Sequence, residues 1–502
     1  MGTKNKQITE PYSLEQVRTL VAQTVQQKKL DAWKEKSLNE ETLPKLYWLD
    51  NGEQLTSYDV RFLLYQVKQS PIFHLNFDTQ QFLAHIDRSS SKAFATVLLK
   101  AFEDSNSDMK LLTYMELAVL LSGEDMLSPL HSLLRKSIEN KRSKLSRFLI
   151  DGLAEIGTDK ALRIIEGISR KYTSKSRATG LAAEMALNRV AGKSNLTVDE
   201  LADRIIPNFD FDGLYKTVEV NGHEYRVFIN IDFKLAYLTE DNTLRKSLPS
   251  GVSKELKAAL KEIEKEVKEV SKNQNGRLEK YMVEERRWPI NDWQTFFFNN
   301  PIMFVYALKL LWGVYDSSSR LLTIFYCSDD MSLYDIQDND VVVEDGQFVG
   351  IIHPIQLTEQ ALNSWREKVY ELGLVTIFPI LERPVFRLSD SEQHATRALS
   401  FNNTEIARGG DFANNFLSKR NWQKSVVDSG ALEFHKLSKD GLFSAHADIS
   451  GLNVRYQGAG EPAIVYAIVF RNGRWGKEVP LNELPPLFYS EVLADIHQMI
   501  NN

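Results

Sequence analysis

The sequence predicts a multidomain α+β protein, with HEAT-like helical repeats at the N-terminus followed by a mixed α/β C-terminal domain. Three observations predict it. A self-similarity with a period of about 34 residues runs from 111 to 192, which is the mark of stacked helical pairs. Period-two alternation with an Asn-Gly turn begins near residue 215. From residue 316 onward, strand and helix patterns are mixed. At 502 residues the chain is also too long for one core.

Residues 1–40 are polar and rich in Lys and Gln, and they read as a polar helix or tail. Residues 41–200 read as the helical-repeat domain. Within it, LLTYMELAVLLSGEDMLSPLHSLLRKS (111–137) aligns with LSRFLIDGLAEIGTDKALRIIEGISRK (145–171), and TGLAAEMALNRVAG (179–192) opens a third copy. Gly123, Gly157 and Gly192 mark the copies, as residues that tolerate the left-handed end of a helix. Asp125 and Asp159 are placed to cap the helix that follows. Thr197 is expected to cap VDELADRIIP, which Pro207 ends.

Residues 201–250 read as a connector containing a β-hairpin turned at Asn221-Gly222. Residues 251–315 read as helical, first as a long Lys/Glu helix in which Gly276 marks a bend or break, then as further helix to about Trp312. Residues 316–502 form the α+β C-terminal domain. Its expected elements are strands at RLLTIFYC and DVVVEDGQFVGII, a helix capped by Thr358 and stopped at Gly373, and a last helix near Ser490. Asn472-Gly473 reads as a hairpin turn that puts Trp475 on a return strand covering a core.

Composition is that of a globular chain, with 43% hydrophobic, 25% charged and 10% aromatic residues. The single cysteine, Cys327, excludes an intrachain disulfide and reads as a core thiol. No apolar signal-peptide core opens the chain, and Lys6 stands where a myristoylation signal wants Ser or Thr. The most apolar run, FFFNNPIMFVYALKLLWGVY, is interrupted by Asn299, Asn300, Pro301 and Lys309. The expectation is therefore a cytoplasmic protein without a membrane partner.

The net charge of −6 hides two opposed segments. His131 to Gly180 carries 12 Lys/Arg against five acids, whereas Asp316 to Asp345 carries eight acids against Arg320 alone. Lys141, Arg142, Lys144, Arg147, Lys171, Lys175 and Arg177 form a basic patch suited to a nucleic acid or an acidic partner.

Catalytic and cofactor motifs fail one by one. AGKSN (191–195) has Leu187 where a phosphate loop needs glycine. DIQDNDVVVEDG (335–346) has the carboxylate density of a calcium loop without its sixth-position glycine. The nine histidines show no zinc spacing, and no nucleophile elbow is present. No metal and no cofactor are expected.

One Arg-aromatic constellation carries ligand chemistry. Arg286 and Arg287 stand beside Trp288, Arg420 stands near Trp422, and Arg383 lies in LERPVFR. A guanidinium beside an indole grips phosphate while the ring stacks a base, although the same pair anchors a core equally well. His353 follows the apolar VGII at a strand end, where reactive groups often project. Arg286, Arg287, Trp288, His353, Arg383, Arg420 and Trp422 are therefore the candidate ligand site.

LTVDELADRIIP, RRW, LWGVYD, IIHP followed by SWR, FPILERPVFRL, RGGDF and LFYSEVLADI occur in an order that resembles a bacterial domain-of-unknown-function family. That family is typified by MolR, molybdate metabolism regulator-like, proteins, which often carry a WGR domain. The resemblance covers about residues 43–502. It implies a helical-repeat region and an α+β domain, and it implies no reaction. Ile380 and Glu382 replace residues that tend to be Gln and Gly in the family, and Arg420-Asn421-Trp422 replaces Arg-Gly-Trp. The resemblance carries no ligand role onto those two loops.

The reading that combines these points is a non-enzymatic interaction or scaffold protein built on a helical-repeat groove, with a protein partner. The alternatives are a nucleic-acid-associated or stress-response factor related to WGR-domain proteins, and an unrecognised enzyme using His353, Asp316, Arg366 and Arg383.

Overall fold

The computed structural model describes residues 11–27, 30, 43–172, 177–426, 432–450 and 463–501. The chain divides into two compact units, Met1–Ile206 and Pro207–Asn502.

The first unit is helical. In order it holds α1 (Leu14–Gln26), α2 (Ser57–Gln69), α3 (Phe77–Ala84), α4 (Arg88–Asp104), α5 (Leu112–Ser122), α6 (Leu127–Glu139), α7 (Ser143–Ile156), α8 (Asp159–Tyr172), α9 (Arg177–Lys193) and α10 (Val198–Arg204). Local chemistry sets many of the starts. Ser13, Thr56 and Thr197 each close a capping box, with Gln16, Asp59 and Glu200 reaching back.

Helix α7 packs between α5 and α9, while α6 pairs with α7 and α8 with α9. Gly123 (φ 49°) and Gly157 (φ 67°) end α5 and α7 in conformations that a Cβ disfavours. Three expectations are corrected. Gly192 lies inside α9 and ends nothing. Asp125 pairs with Lys92 at 2.8 Å instead of capping a helix. The α8 cap is Thr158, whose hydroxyl accepts from Ala161 N–H at 3.4 Å, because Asp159 is already helical.

Phe73 ties this unit together. Its backbone is left-handed (φ 53°), and its N–H donates to the buried Glu116 carboxylate at 2.7 Å. Its ring lies against Phe148, in the gap left by Gly152, where a Cβ would sit 3.3 Å from it.

The second unit opens with an antiparallel sheet of β1 (Lys216–Val220), β2 (His223–Ile229), β3 (Leu235–Thr239) and β4 (Leu244–Arg245) in sequential order. Asn221 and Gly222 both have positive φ, as a two-residue hairpin turn requires. Then comes α11 (Lys254–Val283), capped by Ser253 and running unbroken through Gly276.

The chain next forms β5 (Arg287–Pro289), α12 (Ile290–Trp293), a π-helical turn at Gln294–Phe298 and α13 (Pro301–Ala307). Strands β6 (Leu311–Tyr315), β7 (Leu321–Cys327), β8 (Leu333–Tyr334) and β9 (Phe348–Ile351) complete a five-stranded sheet in the order β5-β9-β6-β7-β8. Trp312 is thus on a strand, not a helix, and every residue of β6 is buried. A strand buried on both faces reads as an unbroken apolar run, which period alone does not separate from a helix. The DVVVEDG half of the second expected strand stays outside the ladder apart from an isolated bridge at Asp340. Cys327 is buried at the end of β7, and burial pushes its thiol up.

Helix α14 (Glu359–Glu371) follows, capped by Thr358 and turned off at Gly373 (φ 60°). An irregular stretch, 372–389, leads to β10 (Arg397–Ala398), β11 (Thr404–Ile406), α15 (Gly409–Lys419), β12 (Gln423–Val426), β13 (Leu432–Leu437), β14 (Phe443–Ile449) and β15 (Ala463–Asn472). These strands form a third antiparallel sheet, β10-β15-β14-β13-β12 with β11 also on β15. The closing helix, α16 (Pro486–Asn501), contributes Tyr489, Val492, Leu493 and Ile496 to its core. The architecture is α+β, with a helical N-terminal region ahead of a sheet-containing C-terminal part.

Candidate functional site

Helix α16 is largely apolar and carries two carboxylates, Glu491 and Asp495, spaced one turn apart and both buried. Each gathers cations and neutral hydrogen-bond donors, as burial of an acid demands.

Glu491 takes a two-pronged bond from Arg383, with Nε–Oε1 at 2.7 Å and Nη2–Oε2 at 2.6 Å. The third prong of the same guanidinium reaches Glu279 on α11 at 2.7 Å. His353 lies 3.1 Å from Glu491 through Nε2, while its Nδ1 accepts the Ile355 N–H at 3.1 Å. The accepting Nδ1 has no proton, so the proton is on Nε2 and is donated to Glu491. Burial disfavours the imidazolium and outweighs the pull of Glu491, which lowers the His353 pKa. Burial alone would raise Glu491. The hydrogen bonds and charges of Arg383 and His353 overcome it and hold the carboxyl well below the usual range.

The network continues through Gln356. Its carbonyl accepts from Tyr315 Oη (3.0 Å) and His353 N–H (3.1 Å), and its amide donates to Glu285 (3.2 Å). Arg287 lies 3.5 Å from Glu285 and 4.0 Å over the Tyr315 ring. That ring rests where the sheet carries two facing glycines, Gly313 and Gly350. A Cβ on either would strike Tyr315, at 2.9 Å from its Oη or 3.3 Å from Cε2. Burial pushes the Tyr315 phenol up to about 12.

Arg287, His353 and Arg383 therefore share one network. Arg286 and Trp288 lie at the aromatic core. Trp288 is buried against Tyr281, Phe297 and Trp312, and Arg286 lies over the Tyr281 and Trp288 rings. Arg420 and Trp422 belong to Asp495, at 3.2 Å and 2.9 Å, together with Lys436 at 2.7 Å. His353, Arg383, Arg420 and Trp422 thus meet α16, Arg286 and Trp288 lie in the aromatic core, and Arg287 lies on Glu285 and Tyr315. Of the further candidates, Asp316 closes its own turn onto Ser318 and Arg320, and Arg366 donates to the Leu381 carbonyl (2.7 Å) and Asn363 (3.1 Å).

In the first unit, Arg142 is structural, since it donates to the carbonyls of Asn106 (3.2 Å) and Ser107 (2.6 Å). Lys141, Lys144 and Arg147 are exposed, and no ion pair engages them among the described residues. Lys171 lies over the Tyr172 ring. Lys175 and the side chain of Arg177 lie outside the described residues.

Two features escaped sequence reasoning. The first is the pair of α16 carboxylates, whose only signal was two acids four apart in an apolar helix. The second is a hollow on the outside of α14. Arg366, Val369, Tyr370, Gly373–Val375 and Glu382 line this open hollow of about 670 Å³. A second hollow of about 480 Å³ shares Val369, Leu374, Val375 and Glu382 and continues to Phe378 and Pro379. The loop that shapes both is held from beneath, by Arg366 on Leu381, by Arg383 in the buried network and by Phe386 N–H on Ser490 Oγ at 3.0 Å. Tyr370 is 88% exposed and Val375 73%.

Trp475 is on neither a core nor a return strand. The turn after β15 holds it 54% exposed, with its ring 5.1 Å from His435 and 5.2 Å from His446. His446 is bound in turn by Glu433 (2.8 Å) and the Arg474 carbonyl (2.9 Å). Asp335 and Asp338, in the calcium-like segment, spend their carboxylates on Asn339, and on Tyr326 and Lys368. Among the described residues no group of three metal-ligating side chains converges, and no helix is long and apolar enough to cross a membrane.

No solved structure matches this chain. Its sequence is similar to Uncharacterized protein YehI of Escherichia coli (strain K12), 26% identical over 250 residues, which is 48% of this chain. The matched region spans 20% of that relative's length. Residues 243–422, from β4 through α11, the five-stranded sheet and α14 to Trp422, match a domain family described as Domain of unknown function (DUF4132).

Proposed function

We propose that this chain is a non-enzymatic interaction protein that binds another protein through surface shape and charge. The observation that carries the reading is the contrast between its two chemically notable places. The charged set around Glu491 is sealed, and Glu491, Arg383 and His353 are each consumed by partners within the fold. The hollow beside α14 is open, largely apolar and edged by protruding side chains. A sealed ion network stiffens a fold, whereas an open apolar hollow is where a partner buries surface.

The first unit adds a second surface to this reading, the HEAT-like stack with Lys141, Lys144 and Arg147 exposed on it. Capture of partners by the full chain under stringent washing tests the proposal. A discrete partner is expected, and its loss on changing either Tyr370 or the Lys144/Arg147 pair assigns the face. Absence of any specific partner contradicts the reading.

The same exposed cations favour a second reading, a nucleic-acid-associated factor of the MolR and WGR kind. Binding to DNA or RNA that weakens steeply with salt and is lost in Lys144→Glu/Arg147→Glu would support it. No binding at low salt would end it.

A further inference from the structure

We infer that the hollow beside α14 docks a basic, apolar-bearing protein segment, in which Lys or Arg residues flank a large hydrophobic side chain. This rests on the interaction reading above and names the partner's chemistry at that site.

The apolar half of the inference comes from the hollow itself. Val369, Leu374 and Val375 line both of its lobes, and Tyr370 and Val375 stand out into solvent at 88% and 73% exposure. A tyrosine that exposed, beside a valine and a ready-made depression, presents contact area with little side-chain entropy to lose. The loop bearing Val375 is anchored from beneath by Arg366, Arg383 and Phe386, so the hollow is preformed.

The basic half comes from charge. Residues 316–382 contain 12 Asp/Glu (Asp316, Asp329, Asp330, Asp335, Asp338, Asp340, Glu344, Asp345, Glu359, Glu367, Glu371, Glu382) and three Lys/Arg (Arg320, Arg366, Lys368), a net of −9. The whole chain carries −6, so this stretch holds more negative charge than the molecule does in sum. The acidic segment meets α14 at Asp338, whose carboxylate Lys368 reaches at 2.6 Å. That contact pairs Lys368 with Asp338, which leaves Arg366, held on the Leu381 carbonyl, as the cation lining the first lobe. Glu382 lines both lobes, and Glu367 and Glu371 are exposed on α14. A field of this sign speeds the approach of a cationic segment and repels nucleic acid.

Fluorescence anisotropy with the full chain and three labelled twelve-residue peptides tests the inference. The first alternates Lys and Leu, the second replaces each Lys with Glu, and the third replaces each Leu with Ser. The Lys/Leu peptide is expected to bind at least tenfold more tightly than either control. Its affinity is expected to fall at least tenfold in Tyr370→Ser/Val375→Ser and in Glu371→Lys/Glu382→Lys. All four positions are exposed, so an unchanged circular dichroism spectrum is expected of both variants. Equal binding of the Lys/Ser peptide, or Lys/Leu binding that ignores the Tyr370/Val375 change, overturns the inference. So does preference for the Glu/Leu peptide or for a DNA oligomer competing at these residues. A chain that still captures its partner after both positions are changed removes this inference and leaves the interaction reading standing.

Discussion

Glu116 and Glu491 are both buried carboxyl groups, and their surroundings drive them in opposite directions. Glu116 faces burial with the Phe73 N–H as a counterweight and with Glu155 adding repulsion, so its pKa is raised to about 7. The native state then holds a proton that the unfolded chain has released, and stability falls as pH rises from about 4.5 to 7. Glu116→Gln is expected to remove that component, of order 2–3 kcal/mol. Urea unfolding of both proteins at pH 5 and pH 7.5 checks it, and the difference between them cancels the opposing effect of His353. Glu491 is the reverse case. Its lowered pKa contributes stability that is present above the unfolded value and lost as pH falls through the folded one. Arg383→Leu would leave Glu491 buried without its main partner, at a cost of about 3–5 kcal/mol. Arg383→Leu/Glu491→Leu is expected to recover most of that loss, and chemical denaturation of the two variants measures it. Sequence reading reached His353 and Arg383 as chemically notable but not their shared partner, Glu491. Glu491 is 108 residues from Arg383 along the chain, and nothing local to either records the other.

Among the elements, those with local causes were readable. Thr358 and Gly373 bracket α14, Ser253 starts α11, and Asn221-Gly222 turns β1 into β2. Each signal lies within a few residues of its effect. Strand β6 was not readable, because LWGVY is buried throughout and has no alternation to betray it. Its glycine has a tertiary purpose as well. With Gly350 on β9, Gly313 leaves the space that the Tyr315 ring and the Arg287 stem fill. Gly350→Ala would place a Cβ 3.0 Å from the Arg286 carbonyl, a backbone atom that cannot swing away. A loss of about 1–3 kcal/mol is expected in thermal or urea unfolding. Gly157→Ala, at φ 67°, is expected to cost about 1 kcal/mol through backbone strain alone.

Across the whole molecule, two compact units share a net charge of −6, with the negative excess concentrated in residues 316–382 of the second. That asymmetry was visible in the sequence as eight acids against one base. What folding adds is the apolar hollow, formed only when the loop after α14 turns back over it. Raising ionic strength from 50 to 500 mM is therefore expected to weaken partner binding markedly without abolishing it, since the apolar contact survives screening. The most direct test of an interaction protein working through this face is photo-crosslinking from position 370, with a benzophenone amino acid replacing Tyr370 in the full chain and mass spectrometry of the adduct. A discrete protein adduct, joined at a peptide with Lys or Arg around a large apolar side chain, is the predicted result. No discrete adduct from position 370, or one joined at an acidic segment or to nucleic acid, would contradict the account.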